Sequence, residues 1–419
     1  MKTTNLETIH AGTGCRSFSW EKSMKKLKST FLLLTGAFLL IVAGPQAQAA
    51  KPIKVDFVTL QALSGPAAPW GIPLVRGLEL AADEINSGGG FIVNGKTYEW
   101  NIKAYDHKYV PSEAVKAANM AIYSDKAKFM SIMGGSATLA CLPLLKDNNI
   151  LALNFDTGGK KVTNPDNPLI FRYNASVESM YLSVLPYLVE KEGIRTMVSI
   201  NPDDQVGQEG LANAKMGADL AKIKIIASEF VERGSKDYSS VLTRVIALKP
   251  DMIESGQTDP TGSALILKQA RELGYKGVIM LSWGASTDQV MKIAGPYVEK
   301  AYMNLAGPNT PQNDYQKRVY SAYGKRWGEK NFNNVAWVSY GLLPALTKAI
   351  VTAQSFEPEA IAKELERIEW ETPTGKLSFG GSKLFGIKRM LLYRTALYQF
   401  RDRVPTFMGN LEVPPNALD

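Results

Sequence analysis

Residues 129–155, FMSIMGGSATLACLPLLKDNNILALNF, read as a strand (FMSIMG), a helix opening at Ser136 and a second strand (ILALNF). The same alternation runs outward in both directions. Toward the N-terminus, IKVDFVTL (53–60) reads as a strand, and residues 74–86 place Leu78, Ala81, Ala82 and Ile85 on one helical face. FIVNGKTYEWNIKAYD (91–106) is two alternating runs around Asn94-Gly95, which predicts a hairpin. PSEAVKAANMAIYSD (111–125) carries Pro and Ser where a helix can start. Toward the C-terminus, helical patterns at 178–192, 208–222, 238–248 and 263–273 alternate with RTMVSI, KIIASEF, DMIES and GVIMLS. Repeated strand–helix–strand order implies α/β architecture, with parallel sheets covered by helices on both faces, and two such sets imply two lobes. EKAYMNLAG (299–307) then leads to helical patterns at 312–328 and 335–354 and a strand-rich tail from Leu377 to Arg401. No low-complexity linker parts the two sets, so several short crossings are expected to join them.

The first fifty residues are of another kind. From Met24 the chain reads MKKLKSTFLLLTGAFLLIVAGPQAQAA: a lysine-rich start, an apolar run at 31–43, and Ala47-Gln48-Ala49. These are the three regions of a secretory signal, with Met24 as the expected start and cleavage near Ala49. Residues 1–49 hold six of the 48 Lys/Arg and two of the 40 Asp/Glu, which leaves 42 against 38 in the exported chain. That excess is too mild, and too scattered, to argue for nucleic acid. Of the two cysteines only Cys141 would remain after cleavage, so no disulfide framework is expected despite the oxidising compartment. With 45% hydrophobic residues, the chain is expected to stand on its core.

Ser136 invites three readings. A nucleophile elbow would need glycine at 138, where the chain has Thr138, and a base, for which the exported chain offers only His107. The alternatives are a plain helix cap, or a cradle in which free N–H groups and the hydroxyl hold an anion at the carboxyl end of a strand. One histidine and one cysteine also give no recognisable metal-ligand spacing. SGGG (87–90) lacks the dinucleotide pattern and precedes a hairpin, so neither metal nor cofactor is expected.

ALSGPAAPWG, RGLELAADEINSGGGFIVNGK, PSEAVKAAN, IMGGSATLA, VGQEGLANAKMGADL, KDYSSVLTRVIALKPDMI and ILKQARELGY follow one another along the chain. As an ordered set they resemble the extracytoplasmic solute-binding proteins of branched-chain amino acid ABC transporters, over about residues 53–400. The resemblance implies two Rossmann-like lobes joined by a three-crossing hinge, with a ligand cleft between them. It divides the chain into lobe I (51–172 with 305–372) and lobe II (173–304 with 373–419), after a signal segment at 1–50. It also implies a periplasmic monomer, not an enzyme, that closes on a small-molecule solute and delivers it to a cognate permease in the inner membrane.

Carried over position by position, the resemblance implies that Trp70 covers the ligand; its Gly/Pro-rich surroundings are a poor address for a core residue. Ser136, with the backbone of Gly135 and Ala137, corresponds to the turn that holds the ligand carboxylate. The next such turn reads Asn154-Phe155-Asp156-Thr157, with Asn154 and Thr157 as candidate contacts. Asp156 departs from the small neutral residues usual there, and either receives a cation or hydroxyl or caps the following segment. In lobe II, Val206 stands where a tyrosine is usual, Gln257 lies in the turn after DMIES, and Trp283 replaces the acid that pairs with a ligand ammonium. A desolvated ammonium without its carboxylate costs several kcal/mol, on the order of a broken buried ion pair. An α-amino acid therefore needs Asp156 or Asp259 as substitute, whereas two tryptophans suit an aromatic carboxylate. A sensory module with the same cleft and an exported serine hydrolase are the competing functions.

Overall fold

The computed structural model describes residues 51–419 apart from 66, 156–158, 175–176, 282–286, 309, 415–416 and 418–419. The expected signal segment, Asp156, Thr157 and Trp283 lie outside the described residues. The chain opens with β1 (Ile53–Gln61), α1 (Ala68–Ser87), β2 (Phe91–Val93), β3 (Lys96–Asp106) and α2 (Pro111–Asn119). It continues through β4 (Phe129–Ile132), α3 (Gly135–Asp147), β5 (Leu151–Asn154), α4 (Gly159–Val162) and β6 (Ile170–Arg172). The second set is α5 (Val177–Glu192), β7 (Thr196–Pro202), α6 (Gln205–Ala221), β8 (Lys224–Val231) and α7 (Ser239–Ala247). It is completed by β9 (Met252–Glu254), α8 (Pro260–Glu272), β10 (Val278–Met280), α9 (Thr287–Ala294) and β11 (Ala301–Leu305). Helices α10 (Asp314–Trp327), α11 (Val335–Tyr340), α12 (Leu342–Ala353) and α13 (Pro358–Leu365) follow. The tail is β12 (Trp370–Thr372), β13 (Gly375–Gly380), α14 (Ser382–Phe385), β14 (Met390–Leu392), β15 (Thr395–Arg401) and β16 (Val404–Leu411).

These strands form two sheets, in the orders β12-β13-β14-β6-β5-β4-β1-β3-β2 and β16-β15-β11-β10-β9-β7-β8. Each is the core of one lobe, and the cleft lies between the lobes. Alternation along the strands accounts for helices on both faces of the first sheet. Phe57, Phe129, Leu151 and Phe171 pack on one side with α1, α11 and α12. Val58, Leu60, Met130, Ile132 and Ala152 pack on the other with α2 and α3. In the second sheet Val198, Ile253 and Ile279 face α7 and α8, while Met197, Met252 and Met280 face α5 and α6. Residues 335–353 are apolar enough to span a membrane by length and composition, but 72% of that window is buried in the protein.

The expected hairpin is β2–β3, and Asn94 (φ 47°) with Gly95 (φ 75°) forms a turn with both central residues left-handed. The sheets differ from the expectation of parallel pairing at their other edges: β12, β13, β15 and β16 pair antiparallel. The tail also serves both sheets. Since β13 and β14 lie in the first and β15 in the second, the chain crosses after Leu392 rather than at residue 373. The other crossings follow β6 and β11, which makes three among the described residues.

At the first crossing Arg172 and Glu178 form an ion pair of 2.8 Å with side chains 1% and 8% exposed. At the second, Trp337 Nε1 donates to Pro308 O at 2.9 Å. Leu182 of α5 packs with Phe385 and Met390 of the first lobe, so an apolar contact supports the hinge.

Candidate functional site

In both sheets the parallel strands deliver their carboxyl ends to loops that open helices, and of the expected site residues the described ones Trp70, Gly135, Ser136, Ala137, Val206 and Gln257 lie in or just after such loops. The loop between β1 and α1 is fixed by a single carboxylate. Asp106 Oδ1 accepts from the Leu63 and Lys108 amides at 2.9 and 2.8 Å, and Oδ2 accepts from Ser64 Oγ at 2.5 Å. Burial raises its pKa, but these hydrogen bonds outweigh that and hold it below the usual carboxylate range. Helix α1 begins at Ala68 rather than 74, because Pro69 is tolerated in a first turn. Trp70 is therefore helical rather than in a loop, and is 39% exposed.

Between β4 and α3, Gly134 adopts φ 94°, and a Cβ there would lie 2.8 Å from the Tyr109 ring. Among the described residues no side chain caps helix α3, whose N-cap is Gly134. Its first backbone bond is Thr138 N–H to Gly134 O at 2.9 Å, so the N–H groups of Gly135, Ser136 and Ala137 precede the ladder. Ser136 is exposed, Gly135 half-buried and Ala137 buried.

His107 does not serve Ser136. It is buried, its Nδ1 accepts the Tyr109 amide at 3.0 Å, and burial lowers its pKa. With Nδ1 accepting, the ring proton sits on Nε2, and neither nitrogen is left to take a serine proton. Cys141 is buried, which pushes its thiol up to about 12. Among the described residues no group of three His, Cys, Asp or Glu side chains could hold a metal.

Asn154, expected as a contact, is fully buried and its Oδ1 accepts the Ile132 amide at 2.9 Å, pinning β5 to β4. In the second lobe Val206 is 48% exposed in the first turn of α6. Asp204 caps that helix through the Gly207 amide at 2.9 Å and pairs with Arg233 at 2.7 Å. Gln257 is half-buried; its N–H donates to Asn201 Oδ1 at 3.2 Å and its carbonyl accepts from Arg233 at 3.3 Å. Asp259 caps α8, with Oδ1 accepting from Thr261 and Gly262 at 3.1 and 3.0 Å.

Sequence reasoning did not single out Asp106 as the loop clamp, Tyr109 as the ring over Gly134, or Glu254. Glu254 is 1% exposed and accepts from Tyr181 and Ser199, each at 2.5 Å. Its one available signal was an acid inside the apolar strand DMIES.

A family model described as periplasmic binding protein matches residues 54–396. The chain is 25% identical over 358 residues to the leucine-, isoleucine-, valine-, threonine- and alanine-binding protein of Pseudomonas aeruginosa, covering 85% of this chain and 93% of that one. It is similar in structure to a branched-chain amino acid ABC transporter periplasmic ligand-binding protein of Burkholderia xenovorans, with TM-score 0.73, 18% identity and coverage of 86% and 96%. It is also similar to an ABC transporter solute-binding protein of R. palustris in complex with benzoate, with TM-score 0.64, 17% identity and coverage of 88% and 99%. At these identities the structural likeness is one of fold.

Proposed function

The chain belongs to the periplasmic binding protein family, matched over residues 54–396, and from that premise we propose that it is the exported substrate-binding protein of an ABC importer for small organic carboxylates. The observation that carries this reading is the open N-terminus of α3. Three N–H groups precede the helical ladder beside an exposed serine, and the helix dipole adds its positive end. The ligand carboxylate sits there, Trp70 covers the ligand body, and Val206 and Gln257 meet it from the second lobe. A ligand touching both lobes favours the closed arrangement by its higher affinity for it.

The ligand class follows from the acids near the strand ends. Asp106, Asp204 and Glu254 are committed to the loop clamp, the α6 cap and the Tyr181–Ser199 pair. Asp259 uses Oδ1 as a cap and keeps only a buried Oδ2 without a partner. Among the described residues an α-ammonium would thus have only that Asp259 oxygen to pair with, and an aromatic carboxylate lacking an ammonium fits this set better. Both classes occur among the similar proteins, benzoate in the R. palustris complex and aliphatic amino acids in the P. aeruginosa relative, so the choice rests on the acids. Calorimetry with benzoate and with leucine separates the two: heat of binding from benzoate alone is expected, and binding of leucine alone rejects the aromatic reading. Delivery is to a cognate inner-membrane permease.

A further inference from the structure

Glu254 ends β9, and the strand register places Ser199 and Met280 beside it. Tyr181 of α5 donates to its Oε1 at 2.5 Å, and Ser199 donates to its Oε2 at 2.5 Å. The Ser199 oxygen accepts from Asn201 Nδ2 at 2.7 Å, and Asn201 Oδ1 accepts the Gln257 N–H at 3.2 Å. A chain of hydrogen bonds thus runs from a buried acid to the turn that carries the second-lobe contact. The fold makes room for it with two glycines. A Cβ on Gly256 (φ 54°) would overlap Asn201 Oδ1, and one on Gly210 would lie 2.9 Å from the same oxygen.

The chain has a direction, because a serine hydroxyl carries one proton. With Glu254 ionised, both carboxylate oxygens accept. Ser199 gives its proton to Glu254 and its lone pair to Asn201 Nδ2, which leaves Asn201 Oδ1 facing the Gln257 N–H. With Glu254 protonated and donating to Ser199, the serine proton is freed from the carboxyl, and within this chain the acceptor open to it is the Asn201 carboxamide oxygen. When the carboxamide turns to take that proton, its NH2 meets the Gln257 N–H donor to donor. That hydrogen bond is lost and the turn moves.

We propose that Glu254 is a positioning residue of the second lobe, whose ionisation sets the Gln257 turn through Ser199 and Asn201 and so the grip on the ligand; this rests on the reading of Gln257 as a contact. Among the described residues no cation faces the carboxyl. Helix α5 offers Tyr181 and, one turn away, Glu178, which is paired with Arg172 at 2.8 Å. Strand β10 offers Met280, α6 offers Gly210 and Ala214, and Tyr302 of β11 donates its hydroxyl to Glu192. Burial pushes Glu254 up to about 7, against the pull of Ser199, Tyr181 and the Gly256 amide. At the other end Arg233 holds the Gln257 carbonyl and pairs with Asp204, which Arg233 itself keeps below the usual carboxylate range.

The test uses ligand-free protein with carbon-13-carboxyl glutamate and nitrogen-15 glutamine, titrated by NMR from about pH 5 to pH 9. The Gln257 amide is expected to shift with the midpoint of the Glu254 carboxyl. Ser199→Ala leaves Glu254 titrating but stops Gln257 from following, and Glu254→Gln makes the Gln257 amide independent of pH. A Gln257 amide that stays still while Glu254 titrates, or follows it equally in Ser199→Ala, overturns the coupling, as does a Glu254 that does not titrate in this range. Benzoate affinity, measured in parallel, is expected to fall about threefold or more on acidification in the wild type alone. If benzoate fails to bind at any pH while Gln257 follows Glu254, the ligand reading falls and the coupling stands.

Discussion

Replacing Glu254 with glutamine should change how stability depends on pH. The carboxyl is fully buried with no cation against it among the described residues, and its pKa rises from 4.5 to about 7. A rise of that size corresponds to roughly 3 kcal/mol between the two ionisation states. The folded protein binds this proton more tightly than the unfolded chain. The contribution to stability is therefore complete below about pH 4.5, falls as pH rises through about 7, and is level above. Glutamine cannot titrate, so subtracting wild type from Glu254→Gln isolates this group while other ionisations cancel. Urea denaturation of both proteins at intervals between about pH 4.5 and pH 8 should show the difference moving by roughly 3 kcal/mol in favour of the variant. A difference that stays constant to within about 0.5 kcal/mol would mean that Glu254 keeps one ionisation state throughout, and would refute the reasoning.

Other substitutions probe the site and its scaffold separately. Ser136→Ala should weaken carboxylate binding about tenfold or more, through loss of a hydrogen bond to a charged group, while the melting temperature of ligand-free protein holds because the side chain is exposed. Trp70→Ala should weaken binding of an aromatic ligand with equally little effect on folding, since the ring is 39% exposed; calorimetry reads both. Gly77→Ala should cost about 1–3 kcal/mol in urea denaturation, because its Cβ would overlap Ser339 Oγ and lie 2.5 Å from Ala336 O where α1 meets α11. Glu178→Ala should cost about 3–5 kcal/mol by leaving the Arg172 guanidinium buried without its counter-charge at the first crossing.

The elements most legible in the sequence are those whose pattern is local. Asn94-Gly95 suffices for the β2–β3 turn because both positions need left-handed backbone. Strand and helix alternation suffices for the two lobes because a parallel crossover needs a helix. Less legible features depend on partners distant in the chain. Nothing local in GKLSFG or TALYQFR tells which sheet each joins, since that is settled by β14 pairing with β6 and β15 with β11. The start of α1 was hidden by Pro69 and Pro73, which read as loop residues although the helix accommodates both. Ser136 was recognisable from small residues at a strand–helix junction. Asp106 and Glu254 were not, because an acid acquires its role only from donors that the fold brings to it, as Leu63 and Ser64 come to Asp106 across more than forty positions.

The most direct measurement is to purify the exported protein without unfolding it, weigh it intact by native mass spectrometry, then denature it and identify what it releases. One small carboxylate per chain is expected, chemically unchanged after repeated binding and release, and lost from Ser136→Ala. Release of a purely cationic solute, or a carboxylate returned as a reaction product, would contradict a binding protein that grips its ligand by the negative end.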